Sequence, residues 1–217
     1  MRVVIVGGHG KIALLAARRL AEQGDEVVAL IRNPAHADDV RAVGANPVLF
    51  DVEAAKESAF ADVFLGQDAI VWSAGAGGGN PTRTRAVDRD AAIRSIEAAS
   101  AAGVRRYVMV SYFGASLDHG VPEDDSFFAY AEAKAAADEF LRGSGLDWTI
   151  LGPSRLTDAP GGGISVSEPG AEPTGQQKGE VSRDAVAAVI AAVLHDKATI
   201  HRQLEFNDGP HPVDSAW

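Results

Sequence analysis

Residues 3–20 read VVIVGGHGKIALLAARRL, and this stretch constrains the fold more than any other. The run Val3 to Val6 is β-branched throughout and reads as a strand buried on both faces. Lys11–Glu22 reads as a helix with Ile12, Leu15, Ala16 and Leu20 on its apolar side. Between them, Gly8-His9-Gly10-Lys11-Ile12-Ala13 fits G-x-G-x-x-A, and Gly7, Gly10 and Ala13 fit G-x-x-G-x-x-A. Glycine lets the chain turn off the strand and lets a pyrophosphate approach the backbone. A small residue at Ala13 lets helix and strand pack closely, and the helix start offers free N–H groups to phosphates. The turn predicts a dinucleotide site at Gly7, Gly8, His9, Gly10, Lys11 and Ile12. His9 reads as a loop residue rather than a metal ligand.

The same alternation continues. Strands are predicted at Glu26–Ile31, Pro47–Phe50, Ala69–Trp72, Arg106–Val110, Trp148–Leu151 and Gln203–Phe206. Helices are predicted at Pro34–Val43, Glu53–Phe64, Arg83–Ala102, Phe127–Arg142 and Arg183–Leu194, the last capped by Ser182. Trp72 and Trp148 fall in strands and are assigned to the core. Apolar strands alternating with helices predict an α/β fold of Rossmann type. It is a single domain with a doubly wound, mostly parallel sheet of about seven strands and helices on both faces. Residues 152–180, GPSRLTDAPGGGISVSEPGAEPTGQQKGE, break the rhythm and read as an irregular substrate or lid segment.

Composition narrows the function. A net charge of −10 argues against a general nucleic-acid binder. The absence of cysteine excludes disulfides, thiolate catalysis and cysteine metal sites. No apolar run is long enough for a signal peptide or membrane span, so a cytoplasmic protein is expected. The histidines show no H-x-x-x-H spacing, and no metal is predicted. His119, in SLDHGVPEDD, reads as a solvated loop residue or a rim of the substrate cleft.

The second strand ends Ala29-Leu30-Ile31-Arg32-Asn33-Pro34. An NAD site usually places an acid there, on the ribose hydroxyls. Arg32 would instead attract a 2′-phosphate, which favours NADP, with NAD as the alternative. In Tyr130-Ala131-Glu132-Ala133-Lys134, the tyrosine and lysine share a helical face. A phenol with a nearby ammonium can protonate the alkoxide formed by hydride transfer. Ser111, ending the fifth strand, can donate a hydrogen bond to the substrate oxygen.

These pieces together resemble an atypical short-chain dehydrogenase/reductase, of the NmrA-like and biliverdin/flavin-reductase-like kind. The matching positions are residues 7–13, Arg32-Asn33-Pro34, Asp51-Val52, Ser73-Ala74-Gly75, Val110-Ser111, Tyr130 to Lys134, residues 145–163 and Ser182-Arg183-Asp184. The resemblance implies that Asp51 and Val52 hold the adenine end, and that Ser73, Ala74 and Gly75 border the riboses. It implies that Pro153 and Ser154 lie near the nicotinamide. It assigns Tyr130 as acid/base, Lys134 to lower its pKa and contact the ribose, and Ser111 to polarise the substrate. The chain departs at Gly152-Pro153, where many relatives carry Arg-Pro, and at Ala13, often glycine.

The expected function is NADP-dependent hydride transfer to or from a small carbonyl or hydroxyl substrate. Two alternatives remain open: a non-catalytic NAD(P) sensor, or a flavin- or tetrapyrrole-type reductase that needs no tyrosine. A nucleotide-sugar epimerase is disfavoured, because residues 152–217 are too few for the usual substrate domain. The expected partner is a small molecule, not a membrane or nucleic acid. A monomer is favoured over a homodimer.

Overall fold

The computed structural model describes residues 1–167 and 178–217. Its strands are β1 (Arg2–Val6), β2 (Glu26–Ile31), β3 (Asn46–Leu49), β4 (Ala69–Trp72), β5 (Arg106–Val110), β6 (Asp147–Pro153), β7 (Arg155–Thr157), β8 (Ile164–Ser167), β9 (Glu180–Ser182) and β10 (Arg202–Asp208). The α-helices are α1 (Lys11–Glu22), α2 (Ala37–Ala42), α3 (Glu57–Phe64), α4 (Pro81–Thr84), α5 (Ala92–Ala101), α6 (Phe128–Arg142) and α7 (Arg183–His195). Eight strands form the main sheet in the order β3-β2-β1-β4-β5-β6-β10-β8. All pairs are parallel except β8 on β10. This is the Rossmann-type sheet expected from the sequence.

Each face of the sheet carries its own core. On one side Ile5, Leu20, Val71 and Phe206 pack with α1 and α7. On the other, Phe60, Phe64, Trp72, Ile96 and Leu141 pack beneath α3, α5 and α6. Trp72 and Trp148 are both buried, as expected. Burial on both faces is why the strands read as unbroken apolar runs. Pro47 is tolerated because β3 is an edge strand, where one side of the ladder has no neighbour to receive its missing N–H. Because β1 lies between β2 and β4, the winding reverses beside it, and the carboxyl ends of these strands splay into a crevice.

Three elements differ from expectation, each for a local reason. The helix expected from Glu53 begins at Glu57. Arg94 claims the carbonyls of Val52, Glu53 and Ala55 instead, holding that stretch as a loop. The long helix expected from Arg83 starts at Pro81, capped by the Asn80 side chain on the Arg83 N–H. It then widens into a π-helical stretch over Arg85–Ala91 before α5. Such a swelling shifts the side-chain register and is frequent at functional sites; here it contains the buried Asp88. Finally, residues 152–180 are not irregular throughout. They contain β7 and β8 and run into β9, which forms a small parallel pair with β7. Residues 168–177 of the expected lid lie outside the described residues.

Candidate active site

The first half of the site is a cleft of about 220 Å³ at the carboxyl ends of β1, β2 and β4. Of the residues expected to hold a cofactor, it brings together Gly7, Gly10, Arg32, Asp51, Val52, Ser73, Ala74 and Gly75. The turn lies hard against its neighbours. Gly7 has φ +82°, and a Cβ there would sit 2.6 Å from Ala74 Cα. A Cβ on Gly8 would sit 2.6 Å from the Ala29 Cβ. So the glycines set the path of the backbone before any ligand arrives. No side chain caps α1 at Gly10, which leaves its first amides for phosphate oxygens. Arg32 stands exposed on the rim and has no hydrogen bond or ion pair among the described residues. An open backbone turn, a free guanidinium and the Asp51 carboxylate fit an adenine dinucleotide.

Several expected residues lie elsewhere. The His9 ring leaves the cleft, stacks on His36 at 3.5 Å and bonds Asp39 at 2.9 Å. Lys11 pairs with Asp158 at 2.8 Å, and the Ile12 side chain is buried in the core. These residues can serve a phosphate through backbone amides only, unless Lys11 leaves Asp158. Pro153 and Ser154 do not line the cleft. Ser154 is buried, donates its N–H to Phe206 and accepts from Gly179 N–H, fastening the returning segment to β10. His119 is not a solvated loop residue: its side chain is buried and joins Glu132 at 2.8 Å.

The departure at Gly152 has a physical reason. A Cβ there would meet Glu205 Cγ at 3.1 Å and the Tyr112 carbonyl at 3.2 Å. Glu205 occupies that space and accepts the Gly114 N–H at 2.9 Å, bracing the loop after β5.

The second half of the site is a buried cluster under α6. Tyr130, Lys134 and Asp138 recur at four-residue spacing on that helix, so they stack along one face. Lys134 is fully buried, and its Nζ donates to the Val110 carbonyl at 2.7 Å and to Met109 Sδ at 3.4 Å. It thereby reaches the end of β5, where Ser111 follows. Ser111 Oγ bonds Asp138 Oδ2 at short range. Asp138 is completely buried, and its Oδ1 has no hydrogen-bond partner. Asp88 is also buried and accepts the Ala76 N–H at 3.1 Å. Tyr130 packs its ring against Tyr112 and Phe127, with centroids 5.7 and 5.2 Å apart.

The electrostatics follow from burial. Desolvation raises the carboxyls of Asp88 and Asp138 above the usual range, against the pull of Lys134. Desolvation lowers the Lys134 ammonium, against the pull of Asp138 and Asp88. Tyr112 is pushed up to about 12 by burial and by Asp138 and Glu132. Tyr130 is also raised, first by burial and then by Asp88, Asp138 and Tyr112. The spacing of Tyr130 and Lys134 predicts an ammonium that depresses that phenol. Here the ammonium is engaged with a carbonyl and flanked by carboxyls, and the shift has the opposite sign.

Sequence reasoning missed Asp88, Asp138 and Arg83. Arg83 closes the far wall of the cleft, bonding the Ala76 carbonyl at 2.8 Å and Glu53 at 3.1 Å. Asp138 was detectable, since it continues the spacing of Tyr130 and Lys134. Asp88 had no such signal, because it sits in a π-helical stretch whose register the α-helical period does not predict. Among the described residues, no group of three or more side chains could hold a metal ion. No described helix is long and apolar enough to cross a membrane.

The glycine turn, the open cleft and the strand order all belong to one fold, and the sequence profile of the NAD(P)H-binding family matches residues 7–197. This chain belongs to that family. YhfK of Bacillus subtilis, which carries the name of an uncharacterized sugar epimerase, is 33% identical across 100% of this chain and 98% of its own. A Bacillus halodurans structure named for NAD-dependent epimerases and dehydratases is 32% identical, with a TM-score of 0.88 over 99% of this chain and 97% of its own. ChuY, an anaerobilin reductase from Escherichia coli O157:H7, is 22% identical over 96% of this chain and 97% of its own, with a TM-score of 0.76, and shares the fold.

Proposed function

We propose that the protein is an NADP-dependent oxidoreductase that reduces a small carbonyl compound, with Tyr130 as the proton donor. The observation that carries this reading is that Lys134 and Asp138, on the same face of α6 as Tyr130, bond the Val110 carbonyl and Ser111 at the carboxyl end of β5. A bound reduced nicotinamide supplies the hydride. The backbone of residues 7–12 binds the pyrophosphate, Arg32 the 2′-phosphate, Asp51 and Val52 the adenine end, and Ser73 to Gly75 the riboses. Lys134, held by the Val110 carbonyl, reaches toward the nicotinamide ribose. Pro153 and Ser154 act indirectly, by fastening the end of β6 to β10 and to Gly179.

The raised Tyr130 pKa bears on direction. A raised phenol keeps its proton and can deliver it to a carbonyl oxygen as hydride arrives, while its phenolate is harder to form as a base for the reverse reaction. That suits carbonyl reduction better than alcohol oxidation. The test is steady-state NADPH oxidation with aldehydes, ketones and quinones. Tyr130→Phe should cost at least ~100-fold in turnover with NADPH affinity unchanged.

A second reading is a flavin- or tetrapyrrole-type reductase in which no tyrosine acid is needed; it is favoured by Lys134 Nζ being held on the Val110 carbonyl and Met109 rather than on the phenol. Full turnover by Tyr130→Phe on such a substrate would select it. NADPH binding with no turnover on any panel would select the sensor. A sugar epimerase, as YhfK is named, is less well supported: after β6 the described chain adds β8 and β10 to the sheet and packs α7 on it, leaving little to enclose a nucleotide sugar. We place the protein in the cytoplasm as a monomer.

A further inference from the structure

We propose that Asp138 is a positioning residue whose protonation decides whether Ser111 offers the substrate a hydrogen-bond donor or only an acceptor. The inference rests on the reading that Ser111 faces the substrate oxygen. A serine hydroxyl has one hydrogen. If Asp138 is a carboxylate, that hydrogen is spent on Oδ2, and Ser111 presents only lone pairs. If Asp138 is a neutral acid, Oδ2 donates to Ser111 Oγ, and the serine hydrogen is free to turn toward a carbonyl oxygen. Only the second arrangement stabilises the charge that grows on that oxygen during reduction.

The geometry favours the second arrangement. Asp138 is 0% exposed, and Oδ1 has no hydrogen-bond partner. An ionised carboxylate with one oxygen unsatisfied in a dry interior is costly, whereas a neutral acid leaves only a carbonyl oxygen bare. The nearby ammonium does not repair this, because Lys134 Nζ hydrogen-bonds Val110 and Met109 and makes no bond to Asp138. The other groups that act on this carboxyl come from every side. Lys134 and Arg142 on α6 favour its ionised form. Tyr130 on α6 and Tyr112 after β5 lie within its field, and Asp88 on the π-helical stretch shares Lys134 with it. Lys134 is the one cation that acts on both carboxyls, with Arg142 adding to Asp138 and Arg83 to Asp88, and none of the three hydrogen-bonds either carboxyl. A proton is most readily kept on the carboxyl that lacks a backbone donor, which is Asp138, since Asp88 has the Ala76 N–H.

Two measurements on the full chain test this. The first is carboxyl carbon NMR of protein labelled with [4-¹³C]aspartate and saturated with NADPH, with Asp138→Asn supplying the assignment. The Asp138 carboxyl should be protonated at about pH 7 and ionise above it. A signal that stays ionised from about pH 6 to 9 overturns the proposal. The second is the pH profile of kcat/KM for NADPH oxidation with 9,10-phenanthrenequinone as the probe. Wild type should lose rate as pH rises through the Asp138 ionisation, by about tenfold per unit beyond it. Asp138→Asn keeps an N–H donor toward Ser111 and should stay within about threefold across the same range. Ser111→Ala should fall by about 10–100-fold and lose the same limb. A limb retained in Asp138→Asn overturns the proposal. If wild type oxidises no NADPH with any carbonyl probe, the oxidoreductase reading fails, and the carboxyl titration alone then decides the state of Asp138.

Discussion

The two halves of the site are built in opposite ways. The dinucleotide cleft is shaped by backbone: Gly7 and Gly8 press against the chain just after β4 and against β2, and one of its charges, Arg32, is exposed and has no partner among the described residues. The cluster under α6 is made of side chains: Ser111, Lys134 and Asp138 are buried and bonded to one another or to β5. A backbone site is specified by short local rules. A buried polar cluster is specified by which elements meet, and each member changes the ionisation of the rest. Substitutions should therefore act singly and predictably in the first half and cooperatively in the second.

The largest effects should fall in the buried half. Lys134→Ala leaves Asp138 and Asp88 without their shared cation. Leaving buried carboxyls without their nearby countercharge in this way costs about 3 kcal/mol, which a denaturant titration at pH 8 would read. The cost should shrink toward pH 5. Both carboxyl pKa values are raised in the fold, so the preference for their neutral forms is fully expressed in acid and is lost as pH rises through them. An equal loss at both pH values would show that Lys134 acts through packing alone.

Next comes Arg32→Ala. Removing a charge-assisted contact should weaken NADPH by about 10–100-fold and NADH by less than about twofold, read by fluorescence titration of each cofactor. Equal losses would break the assignment of Arg32 to the 2′-phosphate and erase the cofactor preference with it.

A smaller effect tests the phenol. In the Asp138→Asn background, where that carboxyl no longer titrates, the reduction rate should hold up to at least about pH 9, below the ordinary phenol pKa. Tyr130 is raised, so it keeps its proton over this range. A fall in rate between about pH 7 and 9 would mean that bound cofactor brings Lys134 to bear on the phenol after all.

The smallest effect belongs to Lys11→Ala. Its ion pair with Asp158 is exposed on both sides, and such pairs contribute about 0–1 kcal/mol. NADPH affinity should change by less than about threefold. A larger loss would place Lys11 on a phosphate and make Asp158 its competitor.

Much of this was legible in the residues, wherever a local rule applied. Val3 to Ala13 announce strand, turn and helix because each step has a residue-level cause. The strands read correctly because burial on both faces writes itself as unbroken apolar runs. Arg32 could be placed because it follows directly from the end of β2. Tyr130 and Lys134 could be placed on one face because a helix has a fixed period. The strands within residues 155–182 were not legible, since β7, β8 and β9 are short and are defined by their partners rather than by pattern.

By itself, then, the sequence determined the winding of the sheet, the glycine turn and the residue types at the ends of the strands. These depend on periodicity and on contacts between near neighbours in the chain. Only the tertiary structure decided the ionisation of the second half. It brought Asp88, on a π-helical stretch, and Asp138, at the far end of the same helical face, to Lys134. Burial then set the sign of every shift: up for Tyr130 and both carboxyls, down for the ammonium. The cost of charge in a dry interior depends on everything that surrounds it, and that cannot be read from residues in a line.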